Sequence, residues 1–339
     1  MALQIVWFIL IAILFTGFFV LEGFDYGVGI LLPFIGKSDT ERRQVLNSIG
    51  PFWDGNEVWL ITAGGALFAA FPAWYATLFS SFYPIMFFIV LALILRGAAF
   101  EFRSLHESSR WRTTWDWLIF VGSVLPGLLW GIILTNMLKG IPIDARLNYV
   151  GGFWNLLNPF ALACGLTMTA LFALHGAIFL SLRTSDPLMT RAHLVAQRLY
   201  LPAVLLIFLV AISGFTSTNI FQRLLLDPKM VPLGYLLLAA LVFTSFFLVR
   251  RRNGWAFTMT TLTIVITAII IGTGLFPNLM ISSLNPAWNL TIENASSSPY
   301  TLTVITWIGV SCIPVVLLYQ GWNYWVFRKR LSPQAVGHY

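Results

Sequence analysis

Residues Pro51 to Pro72 read PFWDGNEVWLITAGGALFAAFP, and this stretch decides the fold. It places Asp54, Asn56 and Glu57 at the start of an apolar run that is otherwise suited to crossing a bilayer. Polar and ionisable groups at membrane depth are costly and need partners. The rest of the chain is therefore expected to supply those partners.

The composition is that of a polytopic membrane protein. Of 339 residues, 58% are hydrophobic and only 10% are charged, which lies outside the range of a soluble domain with a charged surface. Cys164 and Cys312 both fall in apolar runs, so we interpret them as small buried hydrophobic residues rather than a disulfide or a metal pair. The net charge of +7 is more typical of membrane topology than of an acidic partner, and no nucleic acid is expected to bind.

A spanning helix needs about 20 mostly apolar residues, and by that rule the chain is an all-α membrane protein with about nine spans. We expect one polytopic membrane domain over residues 1–339, built as two four-helix bundles plus one peripheral helix. Pro72 and Pro84 mark breaks around the junction of the second and third spans. The predicted spans are about 4–35, 55–78, 81–102, 116–138, 158–182, 199–220, 232–249, 256–276 and 302–327.

The lysines and arginines alternate between successive connections. The connections after the first, third, fifth and seventh spans, together with the tail, hold fifteen, and the even connections hold four. Arg96 alone lies inside a span, which accounts for all 20 cations. Because cytoplasmic loops are enriched in lysine and arginine, the N-terminus is predicted to lie outside and the C-terminus in the cytoplasm.

With this topology, six carboxylates and one arginine fall near the cytoplasmic ends of four spans. Glu22 and Asp25 are three residues apart, as are Asp54 and Glu57, so each pair is expected to share a helix face. Two interpretations stay open: the groups form a structural set of helix caps and ion pairs, or they form a proton entry path. The full set comprises Glu22, Asp25, Asp54, Glu57, Arg96, Glu101 and Asp116.

The histidines argue against a haem held by this chain. His106 and His193 are predicted in connections and His338 in the tail, which leaves His175 within the fifth span. A haem held by two side chains needs two histidines, or a histidine and a methionine, at matched depth. Met168 lies on the same helix as His175 and cannot supply the opposite ligand. We therefore interpret His175 as a hydrogen-bonded packing group, and we predict no cofactor or metal ligand in the chain.

The segment from Gly23 to Pro72 closely resembles the N-terminal signature of subunit 2 of cytochrome bd-type quinol oxidases. It reads GFDYGVGILLPFIGKSDTERRQVLNSIGPFWDGNEVWLITAGGALFAAFP. The similarity extends over essentially the whole chain. Further matching stretches are LRGAAFEFRS (Leu95–Ser104), RWRTTWDW (Arg110–Trp117), NLLNPFALACG (Asn155–Gly165), and VITWIGV and LLYQGWNYWVF in the last span.

This resemblance implies a heterodimer in the bacterial cytoplasmic membrane. Its larger subunit 1 carries the b- and d-type haems and the quinol site, and subunit 2 is the haem-free relative. The implied reaction oxidises quinol and reduces O2 to water, with protons taken from the cytoplasm. Membrane lipids, quinone and a small single-span accessory subunit are the further partners that the resemblance implies.

The resemblance also bears on individual residues. In relatives, the aspartate of WDGN and the acidic residue of the third-span motif are associated with proton delivery, and they match Asp54 and Glu101. Where some relatives have a lysine shortly after the third span, Leu105 and His106 offer no amine. The resulting proton-path candidates are Asp25, Asp54, Glu57 and Glu101, and Glu22, Arg96 and Asp116 are candidates for ion-pair support.

A proton-coupled secondary transporter is the alternative, because buried carboxylates and a broken span also occur in transporters. The acids of this chain cluster at one side, however, and the sixth to ninth spans carry no acidic or basic side chain between their ends. That distribution disfavours a transport site at the middle of the membrane.

Overall fold

The computed structural model describes residues 1–332, and within them the chain is almost entirely helical, as predicted. Strand β1 (Asn278–Met280) pairs antiparallel with β2 (Leu290–Thr291) in one connection. Single 3-10 turns lie at Arg103–Leu105 and Pro286–Trp288. The helices are α1 (Ala2–Ile35), α2 (Asp39–Ile49), α3 (Trp53–Ala70), α4 (Pro72–Ser81), α5 (Tyr83–Phe102), α6 (Ser109–Lys139), α7 (Phe153–Leu156), α8 (Pro159–Arg183), α9 (Leu188–Ser217), α10 (Ile220–Leu226), α11 (Val231–Val249), α12 (Asn253–Leu275) and α13 (Pro299–Val326).

Among the described residues, 8 helices are long and apolar enough to cross a membrane, namely α1, α5, α6, α8, α9, α11, α12 and α13. Each corresponds to one predicted span. The predicted fourth and sixth spans begin too late, because α6 starts at Ser109 and α9 at Leu188. Hydropathy locates only the apolar part of a helix, whereas the backbone hydrogen bonds continue into polar turns. His193, predicted in a connection, is therefore helical and buried.

The predicted second span, 55–78, is two helices rather than one. The chain leaves helical geometry at Phe71, whose φ is −135° and ψ is 69°. Pro72 has no amide hydrogen, and its ring disfavours a helical conformation in the residue before it. The break therefore follows from the proline, and α4 begins at that proline as a separate helix.

Helix α3 packs along α13. Its first turns are polar, so α3 is less apolar than the 8 helices named above. Near one end of the pair, the Asn323 side-chain amide donates to the Pro51 carbonyl over 3.0 Å. Near the other end, the Ser297 amide donates to the Ala70 carbonyl over 2.8 Å. The two ends of α3 therefore lie level with the two ends of α13.

The basic connections meet at one end of the helices. Arg191 at the start of α9 donates to the Ile35 carbonyl at the end of α1 (2.5 Å), and Gln44 of α2 donates to the Leu331 carbonyl beyond α13 (2.7 Å). We call this the arginine-rich end and define it by residues 36–52, 103–112, 183–198, 250–253 and 327–332. The alternation of charge along the sequence thus becomes a segregation of charge in space.

The opposite end is closed by the connections that follow α6 and α12. The Ile141 amide donates to the Ile281 carbonyl (3.0 Å), and the Ser282 hydroxyl donates to the Ile143 carbonyl (2.7 Å). These bonds satisfy backbone groups that would otherwise be left unpaired in an apolar setting.

Helices α1 and α8 cross at very short range. A Cβ atom on Gly27 would overlap the Phe172 carbonyl oxygen and would lie 2.8 Å from the Gly176 Cα atom. Small residues of this kind let two helix backbones touch in a membrane. The C-terminal half of α1, with Glu22 and Asp25, is consequently enclosed by other helices.

Helix α13 lies at the periphery, since Leu302 is its one buried residue in the described part of the chain. Cys312 on this helix is exposed, so the expectation that both cysteines are buried is wrong for Cys312. Cys164 of α8 is partly buried. The division of the helices into two four-helix bundles stays a prediction.

Candidate functional site

The centre of the polar site is a buried arginine on α5. Arg96 is fully buried and forms an ion pair with Glu22 of α1, which is also fully buried. On α3, Glu57 Oε1 lies 3.4 Å from Arg96 Nη1. The guanidinium also lies over the rings of Tyr26 (4.9 Å) and Phe100 (5.4 Å). A buried charge is tolerated only when it is well paired. The contacts of Arg96 with Glu22 and Glu57 therefore hold α1, α3 and α5 together.

A chain of hydrogen bonds leads from Asp25 to the last helix. The Asn56 amide donates to Asp25 Oδ2 over 2.7 Å. Asn56 Oδ1 accepts from the Tyr324 hydroxyl (2.9 Å) and from the Gln320 amide (3.2 Å). Gln320 in turn accepts from the Trp59 indole over 2.7 Å. Asp25 is thus held by α3, and through α3 by α13.

Several polar atoms of this cluster are buried without a protein hydrogen-bond partner within residues 1–332. They are Glu22 Oε2, Asp25 Oδ1, the Tyr26 hydroxyl, and Arg96 Nε and Nη2. Buried polar atoms are almost always hydrogen-bonded, to protein or to water. These atoms are therefore positions at which the cluster can bind water.

Asp54 and Glu101 do not join the cluster, because both are exposed on the surface of the chain. A residue three positions along a helix is turned by about 60° from its partner's direction. On α3 this rotation crosses the boundary between the interior and the surface. Glu57 consequently faces Arg96, whereas Asp54 faces outward.

The exposed surface around Asp54 and Glu101 is apolar. On α3 it includes Val58 and Ile61, which are 45% and 73% exposed, and Phe102 follows Glu101 on α5. A Cβ atom added at Gly64 or Gly65 of α3 would meet no described atom within 4 Å. Exposed apolar surface on a membrane helix faces lipid or another protein, and small residues on it let a neighbouring helix approach closely. The site therefore includes one outward face, which we define as the exposed surface of α3 and α5.

Asp116 belongs to a second network at the arginine-rich end. Its carboxylate accepts from Arg103 Nε (2.6 Å) and from Arg42 Nη1 (2.8 Å). Asp39 of α2 bridges Arg103 (2.9 Å) and Arg112 (2.8 Å). The seven groups singled out from the sequence therefore separate into the Arg96 cluster, the outward face and this network.

Glu41 of α2 forms a third contact at this end. Its two carboxylate oxygens accept from the Arg191 guanidinium at 2.8 and 3.1 Å. These hydrogen bonds lower the pKa of Glu41 below its usual value, against a smaller opposing effect of burial. The pair fastens α2 to the start of α9.

A family model described as cytochrome bd terminal oxidase subunit II matches residues 3–327. The chain belongs to this family.

Among its relatives, the Bacillus subtilis protein named cytochrome bd ubiquinol oxidase subunit 2 is 40% identical over 334 residues, which cover 98% of this chain and 97% of the relative. The Escherichia coli protein named cytochrome bd-I ubiquinol oxidase subunit 2 is 36% identical over 368 residues, with 98% and 96% coverage. A chain of the bd oxidase structure from Geobacillus thermodenitrificans superimposes with a TM-score of 0.76 at 16% identity, over 97% of this chain and 100% of the other. That similarity shows a shared fold.

The bd oxidase family implies haem, but the surroundings of His175, the one histidine predicted within a span, do not fit one. His175 is buried, with its Nδ1 atom 2.7 Å from the Thr260 hydroxyl and its ring stacked on Phe257 at 4.3 Å. A cavity of about 670 Å³ between α1, α6, α8, α9, α11 and α12 has an almost wholly apolar lining, which includes Met168 but not His175. The described residues contain no group of three or more histidines, cysteines and acids that fits a metal. His338 lies outside the described residues.

The candidates drawn from the sequence missed the contribution of α13 to the subunit 2 site. Gln320 and Tyr324 are four residues apart and so share one face of an otherwise apolar helix. That spacing was a usable signal for a polar contact. Their partner, Asn56, is more than 260 positions away in the sequence, and only the packing of α13 on α3 brings them together.

Proposed function

We propose that the chain is the haem-free subunit 2 of a bd-type terminal quinol oxidase. In this function it supports a haem-bearing subunit 1 that oxidises quinol and reduces O2 to water, and it is not catalytic alone. Family membership and the subunit 2 names of its relatives support the proposal, and they do not support the proton-coupled transporter. The haems of the partner supply the oxygen-reduction chemistry.

We propose that the arginine-rich end faces the cytoplasm of a bacterium and that the N-terminus lies outside. Fifteen of the 20 lysines and arginines lie in the residue ranges that define this end. The preference of basic loops for the cytoplasm supports this orientation. It puts both the Arg96 cluster and the Asp116 network on the side from which protons are taken up.

Subunit 1 is proposed to cover the outward face of α3 and α5. Two carboxylates, Asp54 and Glu101, lie within that exposed apolar surface. Carboxylates left against lipid are costly, whereas a neighbouring subunit can surround them with polar partners. Membrane lipids, quinone and a small single-span accessory subunit are proposed to lie against other exposed apolar surface, such as that of α13.

The cluster is proposed to carry protons from the cytoplasm towards subunit 1. On α3, the exposed Asp54, the partly buried Glu57 and the Asp25 partner Asn56 lie within a single turn. Asp25 and Glu57 hold protons on their carboxylate oxygens, and the unpaired buried atoms bind the water that connects them. Glu22 is held by its contact with Arg96, so it serves as structural support rather than as a carrier.

One observation carries this proposed function: Asn56 of α3 donates to the buried Asp25, and the exposed Asp54 lies two residues before Asn56 on the same helix. It is tested in the intact oxidase with Asp25→Asn and Asp54→Asn, which keep size and remove the titrating group. We expect quinol-dependent O2 consumption to fall by about 100-fold, the lower end of what a positioned proton-transfer group contributes, while haem content persists. Glu107→Gln, an exposed acid in a connection at the same end, is the matched control.

Two outcomes would contradict this function. Normal turnover in the Asp54→Asn oxidase would remove Asp54 from the path. Loss of haem in the Asp25→Asn oxidase would show that Asp25 serves assembly.

A further inference from the structure

Three stacked side chains connect the end of α8 to the buried carboxylates. The guanidinium carbon of Arg183 lies 5.2 Å from the ring centroid of Phe52. Phe52 stacks on Tyr324, with ring centroids 4.4 Å apart and an angle of 6° between the planes. The Tyr324 hydroxyl donates to Asn56, and Asn56 donates to Asp25. Arg183 is therefore linked to Asp25 by four consecutive contacts.

Arg183 also holds the chain where it leaves α13. Its Nη1 group donates to the carbonyl oxygens of Phe327 and Lys329, the latter over 2.8 Å. The Leu331 amide donates back to the Arg183 carbonyl (2.8 Å), and the Leu331 carbonyl accepts from Gln44 (2.7 Å). The guanidinium thus satisfies the carbonyl of the residue that caps α13 and one carbonyl beyond it, and a positive charge at a helix C-terminus is favourable. We call Arg183 and residues 327–331 the tail clamp.

The arginine of the tail clamp is a nearly buried charge that has no acidic partner among the described residues. Arg183 is only 7% exposed, and it makes no ion pair with an acid of the described chain. Its charge is compensated by backbone carbonyls and by the face of Phe52, which is a weaker arrangement than a carboxylate pair. Since α13 buries little of its own surface, the clamp is a principal attachment of its C-terminal end.

We propose that Arg183 is a positioning residue for proton uptake. The tail clamp fixes the end of α13, Phe52 transmits that position to Tyr324, and the Tyr324 hydroxyl keeps Asn56 directed at Asp25. The proposal rests on the proposed role of Asp25 in proton uptake. Arg183 itself touches no substrate and transfers no proton.

The clamp is tested first by amide hydrogen exchange in the intact oxidase. We expect Arg183→Met to raise the exchange rate of residues 318–326 by about tenfold, the effect of losing a net hydrogen bond to a charged group. Arg183→Lys keeps the charge and should restore part of the protection. Arg198→Met, an exposed arginine of α9, should leave exchange unchanged. Equal exchange in the Arg183→Met and Arg198→Met proteins would overturn the clamp.

The connection to Asp25 is tested by the pH profile of quinol-dependent O2 consumption. Tyr324→Phe removes the hydroxyl that donates to Asn56, and we expect Arg183→Met to shift the profile in the same direction. The double variant should shift it no further, because both changes act through one contact. Additive shifts, or an unshifted profile in Arg183→Met alone, would overturn the positioning role.

A third variant separates this inference from failure of the proton path. Phe52→Leu keeps the hydrogen bonds of the tail clamp but removes the stack on Tyr324, so it should shift the pH profile while exchange in residues 327–331 rises less than in Arg183→Met. Phe52→Leu also remains interpretable if Arg183→Met fails to assemble. If Asp25→Asn has normal turnover, the proton path fails, and the exchange measurements alone then decide whether the clamp exists.

Discussion

Replacing Arg96 by methionine tests the central ion pair directly. Arg96 and Glu22 have side chains that are 0% exposed, so the change leaves a buried carboxylate without its main partner. Removing one member of a buried pair costs about 3–5 kcal/mol, whereas an exposed pair contributes about 0–1 kcal/mol. Arg112→Met is the matched control, because Arg112 and Asp39 are 24% and 37% exposed.

The assay is the midpoint of heat denaturation of the purified oxidase. The shift is about 2–4 °C per kcal/mol for a domain of 150–250 residues and smaller for a larger protein, so Arg96→Met should lower the midpoint of the oxidase by several degrees, and Arg112→Met by about one degree or less. Adding Glu22→Gln to Arg96→Met should recover much of the loss, because the unpaired charge is gone. Equal midpoints for Arg96→Met and Arg112→Met, or no recovery in the double variant, would refute the reasoning.

Two further predictions concern packing and pH. Gly27→Ala forces a methyl group against the Phe172 carbonyl and should destabilise the fold by about 1–3 kcal/mol. The measurement is the yield of assembled oxidase, which should fall. Gly254→Ala is the control, because a Cβ atom there has no atom within 4 Å, and it should leave the yield unchanged. Glu41 has a pKa lowered mainly by Arg191, so the pair stabilises the fold above the usual pKa of 4.5 and that contribution is lost as the pH falls through the lowered pKa. Since the pair is partly exposed, the effect is about 1 kcal/mol or less, and Arg191→Met should abolish the acid-dependent loss of exchange protection in residues 36–41.

The fold was predictable in outline because a bilayer imposes strict demands on length and apolarity. Apolar runs located all of the predicted spans except the second as single helices. For those spans, every boundary lies within three residues of the predicted one, apart from the starts of α6 and α9. That span needed more than hydropathy, since Pro72 ends α3 while the chain stays apolar into α4. The tight crossing at Gly27 was not predicted, because it depends on which helices become neighbours.

The sequence predicted at which end of the spans the acidic residues lie, but not which way each side chain faces. Placing the acids at one end of the spans followed from the alternation of charge, and Glu22 and Asp25 do share a buried face. Spacing along α3 could not say that Glu57 faces Arg96 while Asp54 faces out, because a rotation of about 60° separates them at the protein surface. The bonds of Tyr324 to this cluster are set by tertiary packing over nearly the whole chain.

The close crossing of α1 and α8 has a mechanical consequence for the cluster. Where Gly27 meets Gly176, backbone rests on backbone, with no side chain between them that can change rotamer to absorb a displacement. This wall of the cluster is stiff, whereas the wall formed by α3 and α13 has its outer side uncovered. We therefore expect a push on α3 from a neighbouring subunit to stretch the hydrogen bonds of Asn56, which join α3 to α1 and α13, before it reaches the pair of Arg96 with Glu22, which joins α5 to α1.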